Sequence, residues 1–302
     1  MDAELVENEL VDGGACPTTR RMSVMMAAVP LPSGEAIPAL GIGTWHLGQG
    51  RHPEAVEIEA LQAGLNLAMT LIDTAEMYGD GASERLIGRA IDGRRDDVFL
   101  VSKVLPHHAT RHGTIAACES SLRRLGTDRL DLYLLHWRGQ IPLEETVSAF
   151  QQLVRDGRIR QWGVSNFDIA DMMELIEFDA GGAVQTDQVL YNLLHRGIEW
   201  DLLPFCQQHG LPIMAYSPIA QGRLLGHPVL RSIGGRHKAT SAQVALSWVI
   251  SHPGVCAIPE AGTPQHVREN FGALGVVLEQ DDILKLDAAF PPPPRPVPLE
   301  VL

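Results

Sequence analysis

Four ionisable side chains in this 302-residue chain stand at or just beyond the ends of short apolar runs. Asp73 ends the strand-like run of LIDTAEMYG, and Tyr78 follows it in the same segment. Lys103 ends the run VFLVSK and His136 ends LDLYLLH. Burying such charges without partners costs several kcal/mol, so we expect the four side chains to lie together.

This combination suits proton transfer to a carbonyl oxygen. Free tyrosine titrates near ~10 and is a poor acid at neutral pH. A Lys103 ammonium beside Tyr78 is expected to lower the tyrosine pKa, so that the hydroxyl acts as a general acid. Asp73 would keep Lys103 protonated, and His136 would orient the carbonyl. Because no side chain supplies a hydride, a nicotinamide cofactor is implied.

Each residue also has a purely structural interpretation. Asp73 could cap a helix, Tyr78 could cover the core, Lys103 could be solvated and His136 could be a hydrogen-bonded core histidine. The convergence of all four on one rim is what favours chemistry.

Alternating strands and helices would place the four residues on that rim. Eight apolar runs separated by stretches of helical spacing predict parallel βαβ units, at residues 39–43, 71–73, 98–103, 130–136, 161–165, 184–188, 212–216 and 254–258. Eight units predict an α/β fold of the (β/α)8 TIM-barrel type, whose chemistry lies at the carboxyl ends of the strands. An open doubly wound sheet is the alternative, but GIGTWHLG does not fit the GxGxxG spacing of such a fold.

The two ends of the chain differ from this pattern. Residues 1–24 are acidic, then small and polar, and we interpret them as a flexible extension. Residues 25–302 are expected to form a single barrel domain with an N-terminal β-hairpin, AAVPLPSGEAIPAL, closing the bottom. Candidate helix N-caps are Thr240 or Ser241 for one helix and Thr263 for another. The tail after residue 290 contains PPPPRP and cannot continue a helix.

Composition excludes several classes of partner. The formal net charge of -13 argues against nucleic acid and anionic membranes, and no apolar run has transmembrane length. Four scattered cysteines without CxxC spacing indicate reduced thiols and a cytoplasmic protein. No metal site is expected. We expect a monomer, although no sequence feature excludes an oligomer.

Several segments, in order, resemble the aldo-keto reductase superfamily from about residue 26 to 290. They are IPALGIGTW, LIDTAEMYG, VSKV, LLHW, WGVSNF, AYSP and IPE…VREN. The details DTAEMYGDGASE and GIEWDLLPFCQQ look most like bacterial members that reduce methylglyoxal and related aldehydes. The resemblance implies an NAD(P)H-dependent carbonyl reductase that acts on a small carbonyl substrate, with Asp73, Tyr78, Lys103 and His136 as its catalytic residues.

The resemblance also implies a cofactor site. Ser165, Asn166 and Gln188 would hold the nicotinamide carboxamide, and Tyr216 would stack on the ring. The remaining implied cofactor residues are Thr44 and Trp45 at the ribose, Ser217, Ile219, Gln221 and Arg223 at the pyrophosphate, and Glu260, Ala261, His266, Glu269 and Asn270. GVSN could instead be a plain turn with an asparagine cap, and Tyr216 could be core.

Trp45 and Trp137 are expected to form the apolar wall of the substrate pocket, although Trp137 could equally be a core residue behind His136. Family members with narrow steroid or polyol specificity tend to carry a longer C-terminal loop over the pocket, so the resemblance implies that this short tail leaves an open, permissive site for small and aromatic aldehydes.

One position departs from the family pattern. Many relatives read IPK at the end of strand eight, where the lysine meets the 2′-phosphate of NADP(H), whereas this chain has Glu260. A carboxylate near that phosphate is repulsive, so the use of NAD(H) beside NADP(H) is expected. Alternatively, Glu260 turns into solvent and changes nothing.

Two rival functions remain. A metal-dependent hydrolase on the same barrel could recruit His107, His108, His136, Asp73 and Lys103, but it leaves Tyr78 without a role. A cofactor-binding regulatory subunit would retain the fold without turnover.

Overall fold

Eight parallel strands follow one another in chain order around the central barrel. The computed structural model describes residues 28–177 and 181–302. The barrel strands are β3 (Ile42–Gly43), β4 (Leu71–Asp73), β5 (Phe99–Val104), β6 (Leu130–Leu135), β7 (Ile159–Ser165), β8 (Asp187–Leu190), β9 (Ile213–Tyr216) and β10 (Val255–Ile258). Parallel bridges from Leu40 to Ala257 and from Gly43 to Glu260 join the first strand to the last. The predicted (β/α)8 barrel is therefore confirmed.

Helices connect the strands and cover the outside of the barrel. They are α1 (Glu54–Asn66), α2 (Ala82–Ala90), α3 (Arg111–Leu125), α4 (Leu143–Arg155), α5 (Ile169–Glu177), α6 (Leu202–Gln208), α7 (Pro228–His237), α8 (Ser241–Ile250), α9 (Pro264–Phe271) and α10 (Gln280–Ala289). Thr240 caps α8 and Thr263 caps α9, as predicted, because each side chain accepts a hydrogen bond from the first turn. A Cβ at Gly64 would come within 2.3 Å of Ile42 Cδ1, so glycine lets α1 lie directly on β3.

The N-terminal hairpin lies across the amino-terminal ends of the strands. Its strands are β1 (Ala28–Pro30) and β2 (Ala36–Pro38), which pair antiparallel with Val29 opposite Ile37. Gly34 takes a φ of 87° in the turn between them, a conformation that glycine adopts without strain. Val29 and Ile37 pack against inward-facing side chains of the barrel, including Leu71, Leu132 and Met214. The predicted hairpin at the bottom of the barrel is thus confirmed.

Some predicted boundaries shift. The first strand is restricted to Ile42–Gly43 rather than 39–43. Before Ile42 the chain pairs with the last strand instead, since Leu40 bridges Ala257 and the Gly41 backbone donates to the Ala257 carbonyl at 2.8 Å. The sixth barrel strand, predicted at 184–188, is Asp187–Leu190. Its ladder with β9 starts at the pair Asp187 and Ile213. The predicted extension at residues 1–24 lies outside the described residues.

Candidate active site

A cavity of about 480 Å³ opens at the carboxyl ends of the barrel strands. It is lined by fifteen of the residues predicted for the site, namely Thr44, Trp45, Asp73, Tyr78, His136, Trp137, Ser165, Asn166, Gln188, Tyr216, Ser217, Ile219, Gln221, Glu260 and His266. The barrel has therefore brought together residues from the ends of β3 to β10, as the strand-end rule predicts.

Lys103 lies behind the cavity and is completely buried. Its ammonium donates to Asp73 Oδ2 at 2.7 Å, to the Thr74 carbonyl at 2.8 Å and to the Tyr78 hydroxyl oxygen at 3.1 Å. An ammonium has three N–H donors, so all three are used. Since the Tyr78 oxygen accepts from Lys103, the tyrosine's own proton is available to the cavity.

Asp73 is held from two further directions. Gln188 Nε2 donates to Asp73 Oδ1 at 2.8 Å, and the Thr44 hydroxyl donates to the Asp73 carbonyl at 2.8 Å. Burial raises the pKa of Asp73 and lowers that of Lys103, while each charge opposes the effect of burial on the other. With both carboxylate oxygens and all three N–H groups satisfied, the pair is held as an ion pair.

The expected direction of the Tyr78 pKa shift is wrong. Burial raises the pKa of Tyr78 well above 10, and the negative charges of Asp73 and Glu260 raise it further. The Lys103 charge does not reverse this shift, because Asp73 neutralises it at 2.7 Å. Tyr78 is therefore fully protonated at neutral pH, as a proton donor must be before the reaction.

His136 is a neutral imidazole in this environment. Burial and the nearby Lys103 charge lower its pKa well below 6.5. Its ring meets the Tyr78 ring edge-on, with centroids 5.9 Å apart. Its Nδ1 atom is buried and has no hydrogen-bond partner among the described residues. A neutral His136 can donate a hydrogen bond to a carbonyl but is not the acid that protonates it.

A chain of hydrogen bonds connects the ends of β7 and β9. The Tyr216 hydroxyl donates to Asn166 Oδ1 at 2.9 Å, and Asn166 Nδ2 donates to the His136 carbonyl at 3.0 Å. Asn166, Ser217 and Gln221 all have left-handed backbone conformations, with φ between 46° and 57°. Such strain is concentrated at functional loops, and here it presents polar side chains and the Tyr216 ring to the cavity.

Aromatic and apolar side chains form the other wall of the cavity. Trp137 is 37% exposed and lines the cavity, so its interpretation as a core residue is wrong. Met77, 39% exposed and next to Tyr78, joins Trp45 on this wall. Sequence reasoning missed Met77, although its position one residue before Tyr78 placed it on the same loop.

Glu260 does not turn into solvent. Its Oε2 atom accepts a hydrogen bond from the His46 backbone at 3.2 Å and lies 2.8 Å from His46 Nδ1. Its Oε1 atom lies 3.9 Å from Arg51 Nη1. Both His46 and Arg51 line the cavity and were missed by sequence reasoning, because they lie in a loop without periodicity.

Five predicted site residues do not line the cavity. Lys103 acts from behind it, and Ala261 and Asn270 are buried in the loop after β10 and in α9. Glu269 is half-buried, and its carbonyl accepts from Gln243. Arg223 Nε donates to the Ala220 carbonyl at 3.2 Å, which holds its side chain beside the loop after β9.

The C-terminal tail reaches the cavity. Trp200 Nε1 donates to the Pro293 carbonyl at 2.7 Å, and Glu300 Oε1 lies 3.0 Å from His195 Nδ1. Leu302 lines the cavity as well. The tail therefore contributes Leu302 to one side of the mouth, and an open, permissive site stays a prediction.

Asp187 is a second buried carboxyl group near the site. It lies at the start of β8, and its Oδ1 atom accepts from the Phe167 backbone at 3.5 Å. Its Oδ2 atom has no partner among the described residues, and burial raises the Asp187 pKa well above 3.8.

Within residues 28–177 and 181–302, no group of three or more His, Cys, Asp or Glu side chains is arranged to hold a metal ion. No helix in the same ranges is both long and apolar enough to cross a membrane.

Comparison with known proteins gives consistent matches over most of the chain. Residues 39–290 match the aldo/keto reductase family. The chain is 52% identical over 263 residues to methylglyoxal reductase YeaE of Escherichia coli, covering 85% of this chain and 93% of that protein. It is 34% identical over 260 residues to glyoxal reductase of Bacillus subtilis, covering 86% and 91%. The solved structure of an aldo-keto reductase from Klebsiella pneumoniae in complex with NADPH has a TM-score of 0.89 and 50% identity, covering 92% of this chain and 99% of that one.

Proposed function

Because the chain belongs to the aldo/keto reductase family, we propose that it reduces small and aromatic aldehydes, methylglyoxal among them, to alcohols with NADPH. The observation that carries the proposal is the set of three hydrogen bonds from Lys103. They leave the Tyr78 proton directed at a cavity that could hold both a carbonyl and a cofactor.

The residues around the cavity fit a nicotinamide cofactor. Tyr216 offers a flat face, and the Ser165–Asn166 pair offers polar atoms for a carboxamide. The left-handed loop at Ser217 and Gln221 faces the same space, where phosphates could be cradled by backbone N–H groups. We assign Thr44 and Trp45 to the ribose, Ser217, Ile219, Gln221 and Arg223 to the pyrophosphate, and Glu260, Ala261, His266, Glu269 and Asn270 to the adenosine end. Gln188 already donates to Asp73, so we assign it to holding Asp73 as well.

A reduced nicotinamide held by these residues would supply a hydride, and with it two electrons, to the carbonyl carbon. Tyr78 gives its proton to the carbonyl oxygen, so that the product is a neutral alcohol. The Lys103 ammonium at 3.1 Å stabilises the phenolate that remains. His136, neutral and beside Tyr78, orients the oxygen by a hydrogen bond. Trp45, Met77 and Trp137 exclude water and contact the apolar part of the aldehyde.

The use of NAD(H) beside NADP(H) is part of the proposal. Glu260 stands where many relatives place a lysine, so position 260 provides no cation for a 2′-phosphate. Glu260 accepts hydrogen bonds from His46 and lies 3.9 Å from the Arg51 guanidinium, which lowers its repulsion of the phosphate without replacing the missing cation. A modest preference for NADPH follows. A cytoplasmic location and a monomeric state stay predictions; free, buried Cys118, Cys206 and Cys256 support the former.

The test is a panel of carbonyl compounds assayed separately with NADPH and NADH. Methylglyoxal, 4-nitrobenzaldehyde, glyceraldehyde, a keto ester and a steroid ketone would each be compared by kcat/KM. We expect turnover of the first two and little of the steroid. Strong steroid turnover with inert small aldehydes would contradict the substrate class. Bound NADPH without turnover of any carbonyl would favour the regulatory-subunit alternative.

A further inference from the structure

The seam of the barrel runs beside the cavity, where the first strand meets the last. The Gly41 backbone donates to the Ala257 carbonyl at 2.8 Å, and the Gly43 backbone donates to the Pro259 carbonyl at 3.0 Å. The bridge between Gly43 and Glu260 completes this join. The chain beyond Gly43 then leaves the sheet to form the loop that carries Trp45 and His46 over the cavity.

The Glu260 side chain continues the join beyond the backbone bridge. One carboxylate oxygen contacts both the backbone N–H and the ring Nδ1 of His46. A carboxylate only accepts hydrogen bonds, so this contact assigns a proton to His46 Nδ1. Two contacts from one oxygen fix both the position of the His46 backbone and the direction of its ring. The two side chains are 24% and 30% exposed, so water competes only in part for these bonds.

The His46 ring in turn supports Trp45. The two rings are stacked, with centroids 4.6 Å apart and an interplanar angle of 25°. Trp45 lines the cavity together with His46 and Arg51 of the same loop. Both of these basic side chains lie against Glu260. A single stacked ring thus lies between the indole and a carboxylate from the other side of the seam.

We propose that Glu260 is a positioning residue, whose carboxylate acts through His46 to hold the Trp45 ring as a wall of the carbonyl pocket. This inference rests on the proposed reductase function. It differs from a role in coenzyme choice, because an effect on the aldehyde pocket must be the same with NADPH and with NADH.

A double-mutant cycle tests the proposal. The variants are Glu260→Ala, His46→Ala, the double variant and the conservative Glu260→Gln, whose amide oxygen can still accept from His46. Glu59→Ala, which removes an exposed carboxylate of α1, is the control. Measurements are kcat and KM for 4-nitrobenzaldehyde with each coenzyme at saturation, and the Kd of NADPH by fluorescence quenching.

We expect Glu260→Ala to raise the aldehyde KM about tenfold, equally with both coenzymes, and Glu260→Gln to restore it to within about threefold. In the His46→Ala background, Glu260→Ala should raise the aldehyde KM by less than about a further twofold, because the contact through His46 is already lost. Full additivity of the two substitutions would overturn the proposal. A rise in the aldehyde KM of Glu260→Ala with only one of the two saturating coenzymes would overturn it as well.

Near-ultraviolet circular dichroism of the cofactor-free protein provides a readout that does not depend on turnover. Glu260→Ala should change the tryptophan bands, and the change should be absent in a Trp45→Phe background. An unchanged spectrum would overturn the proposal. A wild-type protein that reduces no aldehyde yet shows this Trp45-dependent change would refute the proposed function while retaining the positioning role of Glu260.

Discussion

Replacing Lys103 by methionine tests whether the buried ion pair is the core of the site. Methionine has similar length but removes all three hydrogen bonds and leaves Asp73 buried without its counter-charge. At the 2.7 Å separation, a surface-like dielectric constant gives an attraction of about 6 kcal/mol, part of which offsets the desolvation of both groups. Breaking one side of such a pair costs ~3–5 kcal/mol, and we expect Lys103→Met to lose that much of the free energy of unfolding.

A second substitution should repair stability without repairing activity. Asp73→Asn removes the unpaired buried charge, and the amide oxygen of the new asparagine can still accept a hydrogen bond from Gln188. The double variant Asp73→Asn/Lys103→Met should therefore regain most of the lost stability, since replacing both partners of a buried pair is often close to neutral. The kcat for aldehydes should stay at least about a hundredfold below wild type, because the phenolate of Tyr78 has lost its ammonium.

The pH dependence of the single variant has a definite sign. Burial already raises the pKa of Asp73 above 3.8, and removing Lys103 takes away the main opposing influence. A carboxyl group with a raised pKa in the folded state stabilises the fold below its unfolded pKa, and this stabilisation is lost as the pH rises. The deficit of Lys103→Met should thus be smallest near pH 4 and grow towards pH 7.

The assay is urea denaturation of the three proteins between pH 4 and pH 8, with parallel rates of NADPH oxidation. If the free energy of unfolding falls with urea concentration at the same slope in all three proteins, the variants differ in stability rather than in compactness. A Lys103→Met protein as stable as wild type at pH 7 would refute the reasoning. A double variant no more stable than the single one would also refute it.

Three further outcomes are expected. Tyr78→Phe should lower kcat on aldehydes by at least about a hundredfold while leaving the Kd of NADPH nearly unchanged; retention of most activity would refute the general-acid role. Wild type should prefer NADPH by less than about a hundredfold in kcat/KM, and Glu260→Lys should raise the NADPH:NADH ratio; a preference beyond about a thousandfold, unmoved by the substitution, would place Glu260 away from the phosphate. The carboxyl group of Asp187 has a raised pKa, so it stabilises the wild-type fold only at low pH. The free energy of unfolding of Asp187→Asn, relative to that of wild type, should therefore increase from pH 5 to pH 8, by at most about 1.4 kcal/mol per pH unit. Parallel stability curves for the two proteins would show that Asp187 does not titrate in that range.

The strand-end residues could be predicted because periodicity and the barrel rule place them. Asp73, Lys103 and His136 each end an apolar run, and parallel strands bring such ends to one rim. Sequence reasoning also identified the Thr263 cap, whose signal is local.

Other features depend on contacts between distant segments. His46 and Arg51 lie in a loop without periodicity, and their partner Glu260 is more than two hundred residues away. The sign of the Tyr78 pKa shift depends on the depth of burial, which no motif encodes. The tail was correctly expected to be extended, but its course to Leu302 depends on the hydrogen bond from Trp200 to Pro293.

The burial of Lys103 also bears on how Tyr78 is reprotonated after each turnover. Lys103 is 0% exposed and Asp73 is 2% exposed, so neither group meets bulk water from behind. Once Tyr78 has given up its proton, the replacement comes from the side of the cavity, through the mouth by which the alcohol departs. The reverse reaction must expel its proton by the same route. Recovery of the acid is thus tied to emptying of the cavity, and a product that lingers there delays both events together.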